Sequence, residues 1–260
     1  MRADVYLTAM GYVASRKKAQ DLIDGGAVTV DDQVVKKSSA LINEEIPHKV
    51  EIEQLFRYVS RGGMKLEGAL NAFGINVNRK KAVDVGASTG GFTDCLLQRG
   101  ASRVIAIDSG IGQLHESLRA DPRVLSVEQF NARELNEQVT EGPCDLAVMD
   151  VSFISSTYLI PGIASVLKEG GEFVSLIKPQ FEAGKGALGK GGIVRNSAYR
   201  YLAIKRVLEC AADAGFDCMG VIPSPIEGGD GNREYLAYFK KQPCLASRIE
   251  DRMLKRIAEL

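Results

Sequence analysis

The chain has 260 residues, enough for one large domain or for a small and a medium one. Its 33 basic and 33 acidic residues cancel, so no global field draws it to nucleic acid and any such binding has to come from local patches. The N-terminus lacks the apolar core of a secretory signal, and no stretch approaches the roughly 20 apolar residues that span a bilayer, which argues against export and against a pore.

The five cysteines (Cys95, Cys144, Cys210, Cys218, Cys244) are scattered, odd in number and free of any C-x-x-C pair. That fits free thiols in a reducing cytoplasm. His48 and His115 match no metal-ligand spacing and read as surface residues, so no metal is expected.

Residues 1–59 read as a small α+β domain and a linker. A short helix over Asp4–Met10 is broken by Gly11. Ser15 is a good N-cap for a second helix, Arg16–Ile23, with Ala19, Leu22 and Ile23 on its inner side. Arg16, Lys17 and Lys18 occupy its first turn, where the helix dipole disfavours cations; such a local conflict marks function. Gly25-Gly26 ends the helix. Ala27–Val30, the turn Asp31-Asp32 and Gln33–Val35 read as a tight hairpin, and Phe56-Arg57-Tyr58-Val59 links to the next domain.

These residues, Arg2-x-Asp4, Gly11, Ser15-Arg16, Ala19, Ile23, Gly26-x-Val28-x-Val30 and Val35-x-Lys37, resemble the S4-type RNA-binding domain. The resemblance implies an RNA face built from the second helix and the hairpin. Arg2, Arg16, Lys17, Lys18, Lys36 and Lys37 would meet phosphates there, setting register and affinity without reading bases.

The second domain is expected over 60–242. Its first helix, Met64–Phe73, carries Leu66, Ala69, Leu70 and Phe73 at core-facing spacing and leaves Lys65 off that stripe. The stretch Ala82–Thr93 follows. Val83 and Val85 make a buried strand, the glycines reverse the chain, and a helix starts at Thr89 or Gly90 and stops at Gly100. Amide groups at such a helix start can hold an anionic or polar ligand. The next strand, Arg103–Ile107, ends in Asp108, a carboxylate placed to accept ribose hydroxyls. A nucleoside-containing cofactor is implied. Ser88 stands where the dinucleotide fingerprint needs its second glycine, which disfavours a nicotinamide cofactor.

Strands and helices then alternate. Val124–Val127, Asp145–Met149 ending in Asp150, and Phe173–Ile177 ending in Lys178 read as strands. A helix is expected around Tyr158–Leu167, closed by Gly170-Gly171, and a glycine-rich loop over Gly184–Gly192. Ser197 is read as the cap of a helix over Tyr199–Ala214. Phe216–Ile222 and Glu234–Lys240 close the sheet as an antiparallel pair joined by the loop Glu227–Gly231. The fold class is therefore α/β, a mostly parallel sheet with helices on both faces. Residues 243–260 form a helical tail.

Asp150 and Lys178 end adjacent strands, Glu234 begins an antiparallel neighbour, and Lys65 precedes the first strand. The contexts Arg61-Gly62-Gly63-x-Lys65-Leu66, Met149-Asp150-Val151-Ser152-Phe153-Ile154-Ser155, Lys178-Pro179-Gln180-Phe181-Glu182 and Asn232-Arg233-Glu234-Tyr235 resemble the lysine–aspartate–lysine–glutamate tetrad of the FtsJ-like RNA 2′-O-methyltransferases. Asp84-x-Gly86-Ala87-x-x-Gly90-Gly91 resembles the cofactor loop of S-adenosylmethionine-dependent methyltransferases.

The resemblance implies a Rossmann-like class I methyltransferase domain with a seven-stranded sheet, S-adenosylmethionine as cofactor, and Lys65, Asp150, Lys178 and Glu234 as catalytic residues. It places Asp84, Gly86, Ala87, Ser88, Gly90, Gly91, Phe92, Thr93, Asp108, Asn131, Ala132 and Asp150 around the cofactor. The implied substrate is ribosomal RNA or an assembled subunit, methylated at a cytidine 2′-hydroxyl; the free thiols fit a cytoplasmic enzyme, and nothing in the sequence suggests more than a monomer. Two readings compete: an RNA- or ribosome-binding factor without catalysis, and a membrane-lytic haemolysin.

Overall fold

The computed structural model describes residues 1–24, 26–52, 57–228, 231–242 and 250–260. Gly25, Phe56, Cys244 and part of the loop Glu227–Gly231 lie outside these residues. The chain forms two compact units, Met1–Arg57 and Tyr58–Leu260.

In the first unit, helices α1 (Ala3–Ala9) and α2 (Arg16–Asp24) pack on a small sheet of β1 (Val28–Val30), β2 (Gln33–Val34) and β3 (Val50–Ile52) in the order β2-β1-β3, all antiparallel. Ala3, Tyr6, Leu7, Ala19, Leu22, Ile23 and Val28 make its core. The Ser15 hydroxyl caps α2 by accepting the Lys18 amide at 3.2 Å. Asp31 and Asp32 both take positive φ (49° and 62°), the backbone of a two-residue hairpin turn with the twist its strands require. Strand β3 is not apparent in the sequence: it pairs with β1 across a long intervening stretch, with no tight turn to mark the pairing. Nor is His48 a free surface residue. Its ring is nearly enclosed, against the Asp31 carboxylate (Nδ1 to Oδ2, 2.6 Å) and the Asn43 carbonyl (Nε2 to O, 2.7 Å).

In the second unit a seven-stranded sheet is described. Its strands are β4 (Lys81–Val85), β5 (Arg103–Ile107), β6 (Val124–Val127), β7 (Cys144–Met149), β8 (Leu167–Ile177), β9 (Phe216–Pro223) and β10 (Tyr235–Lys241). Their order is β6-β5-β4-β7-β8-β10-β9, with β10 antiparallel to both neighbours and the others parallel. Helices α3 (Gly62–Phe73), α4 (Gly91–Gln98), α5 (Glu116–Arg119), α6 (Ile160–Val166), α7 (Pro179–Glu182), α8 (Ser197–Asp213) and α9 (Asp251–Glu259) complete it. One core cluster joins Val83, Ile105, Ala147, Phe173 and Val207; another joins Leu66, Leu70, Leu96, Val104 and Leu176. The parallel strands are apolar on both faces because both are covered, which is why they read as continuous runs.

Three local expectations are corrected. Helix α6 ends at Val166, and β8 starts at once at Leu167, passing through Gly170-Gly171 with a register shift against β7. The cap of α8 is Asn196, whose Oδ1 accepts the Ala198 amide at 2.9 Å; Ser197 is already inside the helix. Helix α4 starts at Gly91. The tail helix α9 buries Leu254, Ile257 and Ala258, and it packs on α8 and β9. No helix among the described residues is long and apolar enough to cross a membrane.

Candidate active site

The site lies at the carboxyl ends of the parallel strands, where open α/β sheets hold ligands. The turn after β4 comes first. Gly86 sits at φ +84°, and a Cβ there would stand 2.5 Å from the Asp150 carbonyl oxygen. Only glycine lets this turn lie against the end of β7. Gly91 opens α4 with the same constraint on the other side: a Cβ would meet the Gly63 amide nitrogen at 2.9 Å, so α3 and α4 approach closely at their starts.

Ser88 is left-handed without being glycine (φ +49°). Its amide donates to Asp108 Oδ2 at 2.7 Å, and the Gly110 amide donates to Asp108 Oδ1 at 2.7 Å. A carboxylate has about four acceptor sites, so Asp108 keeps capacity for further donors.

A cavity of about 380 Å³ opens between these turns. Gly86, Ser88, Asp108, Asn131, Ala132 and Asp150 line it, joined by Gln113, Phe130 and the segment Val151–Ile154. Asn131 also caps a short turn, its Oδ1 accepting the Arg133 amide at 3.2 Å. Asp84, Ala87, Gly90, Gly91, Phe92 and Thr93 are not among the lining residues. Asp84 is fully buried in β4, and its Oδ2 accepts the Thr93 hydroxyl at 2.6 Å. Burial pushes its carboxyl up to about 7, and the nearby Asp150 and Asp108 charges add to the shift.

Two ion pairs stand at the strand ends. Lys178 Nζ lies 2.5 Å from Asp150 Oδ1 and donates to the Ser152 hydroxyl at 2.9 Å. Lys65 Nζ lies 2.5 Å from Glu234 Oε2. Tyr235 and Ile177 are paired across β10 and β8; Glu234 precedes one and Lys178 follows the other, so the two side chains leave the ladder at the same end. Asp150 follows β7, the next strand over. Lys65, off the apolar stripe of α3, is nonetheless buried, because α3 packs against β10 and turns that flank toward Glu234.

Sequence reasoning gave no role to Ser152 and Phe153. Phe153 is 92% exposed at the cavity rim, at φ +66°, with its ring 5.3 Å from Phe181. The signal was available: a phenylalanine three residues past a strand-ending acid has no strand or helix in which to be buried.

In the first unit the expected RNA-contacting cations are exposed or partly exposed. Arg2 and Arg16 are organised by Asp4, a fully buried acid whose Oδ1 accepts Arg2 Nε and whose Oδ2 accepts Arg16 Nη2, both at 3.0 Å. Gln20 adds a third donor at 2.9 Å. The Arg2 guanidinium holds this carboxyl well below the usual carboxylate range, against the opposing effect of burial. Lys17, Lys36 and Lys37 are exposed and Lys18 partly so. The side chains of Lys185 and Lys190, in the glycine-rich loop, lie outside the described residues.

The FtsJ-like methyltransferase family model matches residues 58–241, and the S4 domain model matches residues 1–45. Hemolysin A of Brachyspira hyodysenteriae is 45% identical over 92% of the chain and 99% of the relative. The 16S/23S rRNA (cytidine-2′-O)-methyltransferase TlyA of Mycobacterium tuberculosis is 40% identical over 99% of the chain and 97% of the relative. A solved structure described as a candidate hemolysin from Streptococcus thermophilus superposes with a TM-score of 0.78 at 39% identity, covering 100% of the chain and 94% of that structure. The chain therefore belongs to the FtsJ-like methyltransferase family, in the TlyA-type group that carries an S4 domain ahead of the methyltransferase domain.

Proposed function

We propose that the protein transfers a methyl group from S-adenosylmethionine to the ribose 2′-hydroxyl of a cytidine in ribosomal RNA. The observation that carries this reading is the Lys178–Asp150 ion pair at the edge of a nucleoside-sized cavity, with the buried Lys65–Glu234 pair beside it. The M. tuberculosis relative, named for this reaction on 16S and 23S rRNA, supports the substrate class.

The residues present fit the cofactor. The carboxylate of Asp108 suits the ribose hydroxyls, Asn131 and Ala132 suit the edge of the adenine, and Gly86 and Ser88 offer a bare backbone to the methionine part. When bound, S-adenosylmethionine supplies an electrophilic methyl on a sulfonium, which departs as a neutral thioether.

The protein has to make a ribose hydroxyl nucleophilic and hold it in line. Lys178 acts as base or polariser of the 2′-oxygen: paired with Asp150 as an ammonium it has no lone pair and polarises the oxygen while the proton leaves to water, and to act as base it first gives its own proton to solvent; in both cases the O–H bond breaks as the O–CH₃ bond forms. Asp150 and Ser152 fix the Lys178 nitrogen. Lys65 and Glu234 hold the hydroxyl from the other side. Positioning of this kind is worth on the order of 7–11 kcal/mol in well-oriented reactions, and no metal is needed. The S4 domain would dock RNA through Arg2, Arg16, Lys17, Lys18, Lys36 and Lys37.

The test is transfer of labelled methyl from S-adenosylmethionine to purified ribosomal subunits, followed by partial alkaline hydrolysis of the RNA. One labelled linkage resistant to hydrolysis is expected, since 2′-O-methylation removes the attacking hydroxyl. Label on a base, with every linkage hydrolysed, would overturn the ribose assignment.

A further inference from the structure

Glu182 is a buried carboxylate to which the reaction above gives no part. It ends α7, the four-residue helix that follows Lys178, and it is 3% exposed. Its Oε1 accepts the Ser156 amide at 2.7 Å and the Ser156 hydroxyl at 2.8 Å, and its Oε2 accepts the Ser155 hydroxyl at 2.5 Å. Among the described residues no basic side chain forms an ion pair with it. A carboxylate shut from water without a cation is costly unless donors satisfy it, and here the donors all come from one other loop.

That loop is the one that follows β7. It starts with Asp150, carries Ser152 and Phe153 and ends at Ser155-Ser156; the loop that follows β8 starts with Lys178 and ends at Glu182. The ladder between β7 and β8 fixes their backbones only as far as Met149 and Ser175. Beyond it a helix of one turn has no stability of its own. Glu182 therefore joins the two loops at their far ends, while Lys178–Asp150 joins them at their near ends. Other contacts brace the same seam. Arg206 Nη1 of α8 donates to the Glu182 carbonyl at 3.1 Å, and Cys210 Sγ of α8 donates to the Thr157 carbonyl at 3.4 Å.

We infer that Glu182 is a positioning residue for methyl transfer, holding the loop after β7 against the loop after β8 so that Asp150 and Ser152 fix the Lys178 nitrogen. The inference rests on the proposed role of Lys178. Its chemistry is that of an acceptor, not a charge: a glutamine amide in the same place would accept the Ser156 amide on its oxygen and donate to the Ser155 hydroxyl with its nitrogen.

The experiment compares wild type, Glu182→Ala and Glu182→Gln in steady-state methyl transfer to ribosomal subunits, with S-adenosylmethionine affinity measured by calorimetry. Glu182→Ala is expected to lower kcat about 10- to 100-fold, the size of effect that a misplacement of about 1 Å produces. Its KM for RNA and its cofactor Kd are expected to stay within about 3-fold of wild type, and Glu182→Gln to keep kcat within about the same factor. Unchanged kcat in Glu182→Ala overturns the inference. So does a loss of cofactor affinity equal to the loss of kcat, which would make Glu182 a wall of the cavity, and so does a glutamine variant as slow as the alanine. If Glu182→Ala does not fold, Ser155→Ala removes a single donor; a several-fold loss of kcat with the same split supports the inference, and wild-type kcat overturns it. Failure of the parent reading looks different: wild type itself would then leave no ribose label.

Discussion

Lys65 Nζ lies 2.5 Å from Glu234 Oε2, linking helix α3 to the start of β10 across 169 positions of sequence. Both side chains are shut from water, at 11% and 3% exposure. Breaking a buried pair leaves an uncompensated charge, at a typical cost of about 3–5 kcal/mol. Glu234→Gln and Lys65→Met are therefore each expected to lower unfolding free energy by roughly that amount, while the double variant recovers part of the loss but not methyl transfer. Urea denaturation of the three proteins checks this. A fully stable Glu234→Gln protein would show that the pair is open to solvent in solution.

Asp84 gives the second unit a pH signature. Its carboxyl titrates near 7 when folded and near 4 when unfolded. Between those values the folded state holds a proton that the unfolded state releases. This contribution to stability is fully present below about pH 4, declines through the window, and is gone above about pH 7. Asp84→Asn removes it. The stability of wild type relative to Asp84→Asn is expected to fall by a few kcal/mol between pH 4 and 7, and a flat difference would contradict the burial argument.

Asp4 has the opposite sign. Its folded carboxyl lies well below the usual range because of the Arg2 guanidinium, so its stabilisation is present above about pH 4 and is lost as acid approaches the folded value. Asp4→Ala would release Arg2 and Arg16 and leave Gln20 without its acceptor. Weaker RNA binding is expected, together with a shallower dependence of log affinity on log salt. Unchanged affinity would mean that neither arginine needs fixing to meet phosphate. The side chains of Lys17, Lys36 and Lys37 would then carry the contact.

Phe153 projects beside the cavity with its ring almost wholly in water. Stacking on an unpaired base is worth about 1–3 kcal/mol. Phe153→Ala is expected to raise KM for RNA or lower kcat by about 10-fold or more, with cofactor affinity changed far less, in the same methyl-transfer and calorimetric assays.

The positional logic of the site was legible in the sequence because it depends on chain order and strand ends. Alternating βα units give a parallel sheet, and a parallel sheet puts Asp150 and Lys178 at one edge. Glu234 followed from the antiparallel last strand. Other features were not legible because they depend on what packs where. Lys65 sits off the apolar stripe, yet it is buried because its partner is a buried acid more than 160 residues away. The length of β8 depends on a register shift against β7, which no local pattern records. Glu182 reads as one more acid in a loop until its three hydroxyl and amide donors are seen.

In the proposed reaction Lys178 acts on a ribose hydroxyl. Its most direct test is methyl transfer to ribosomal subunits by wild type and Lys178→Ala side by side, with S-adenosylmethionine binding measured on both. Label at one alkali-resistant linkage is expected with wild type, its loss with Lys178→Ala, and cofactor binding retained in both. Equal label from the two proteins would contradict the role given to Lys178, and no label from either, with the cofactor bound, would contradict the enzyme reading itself.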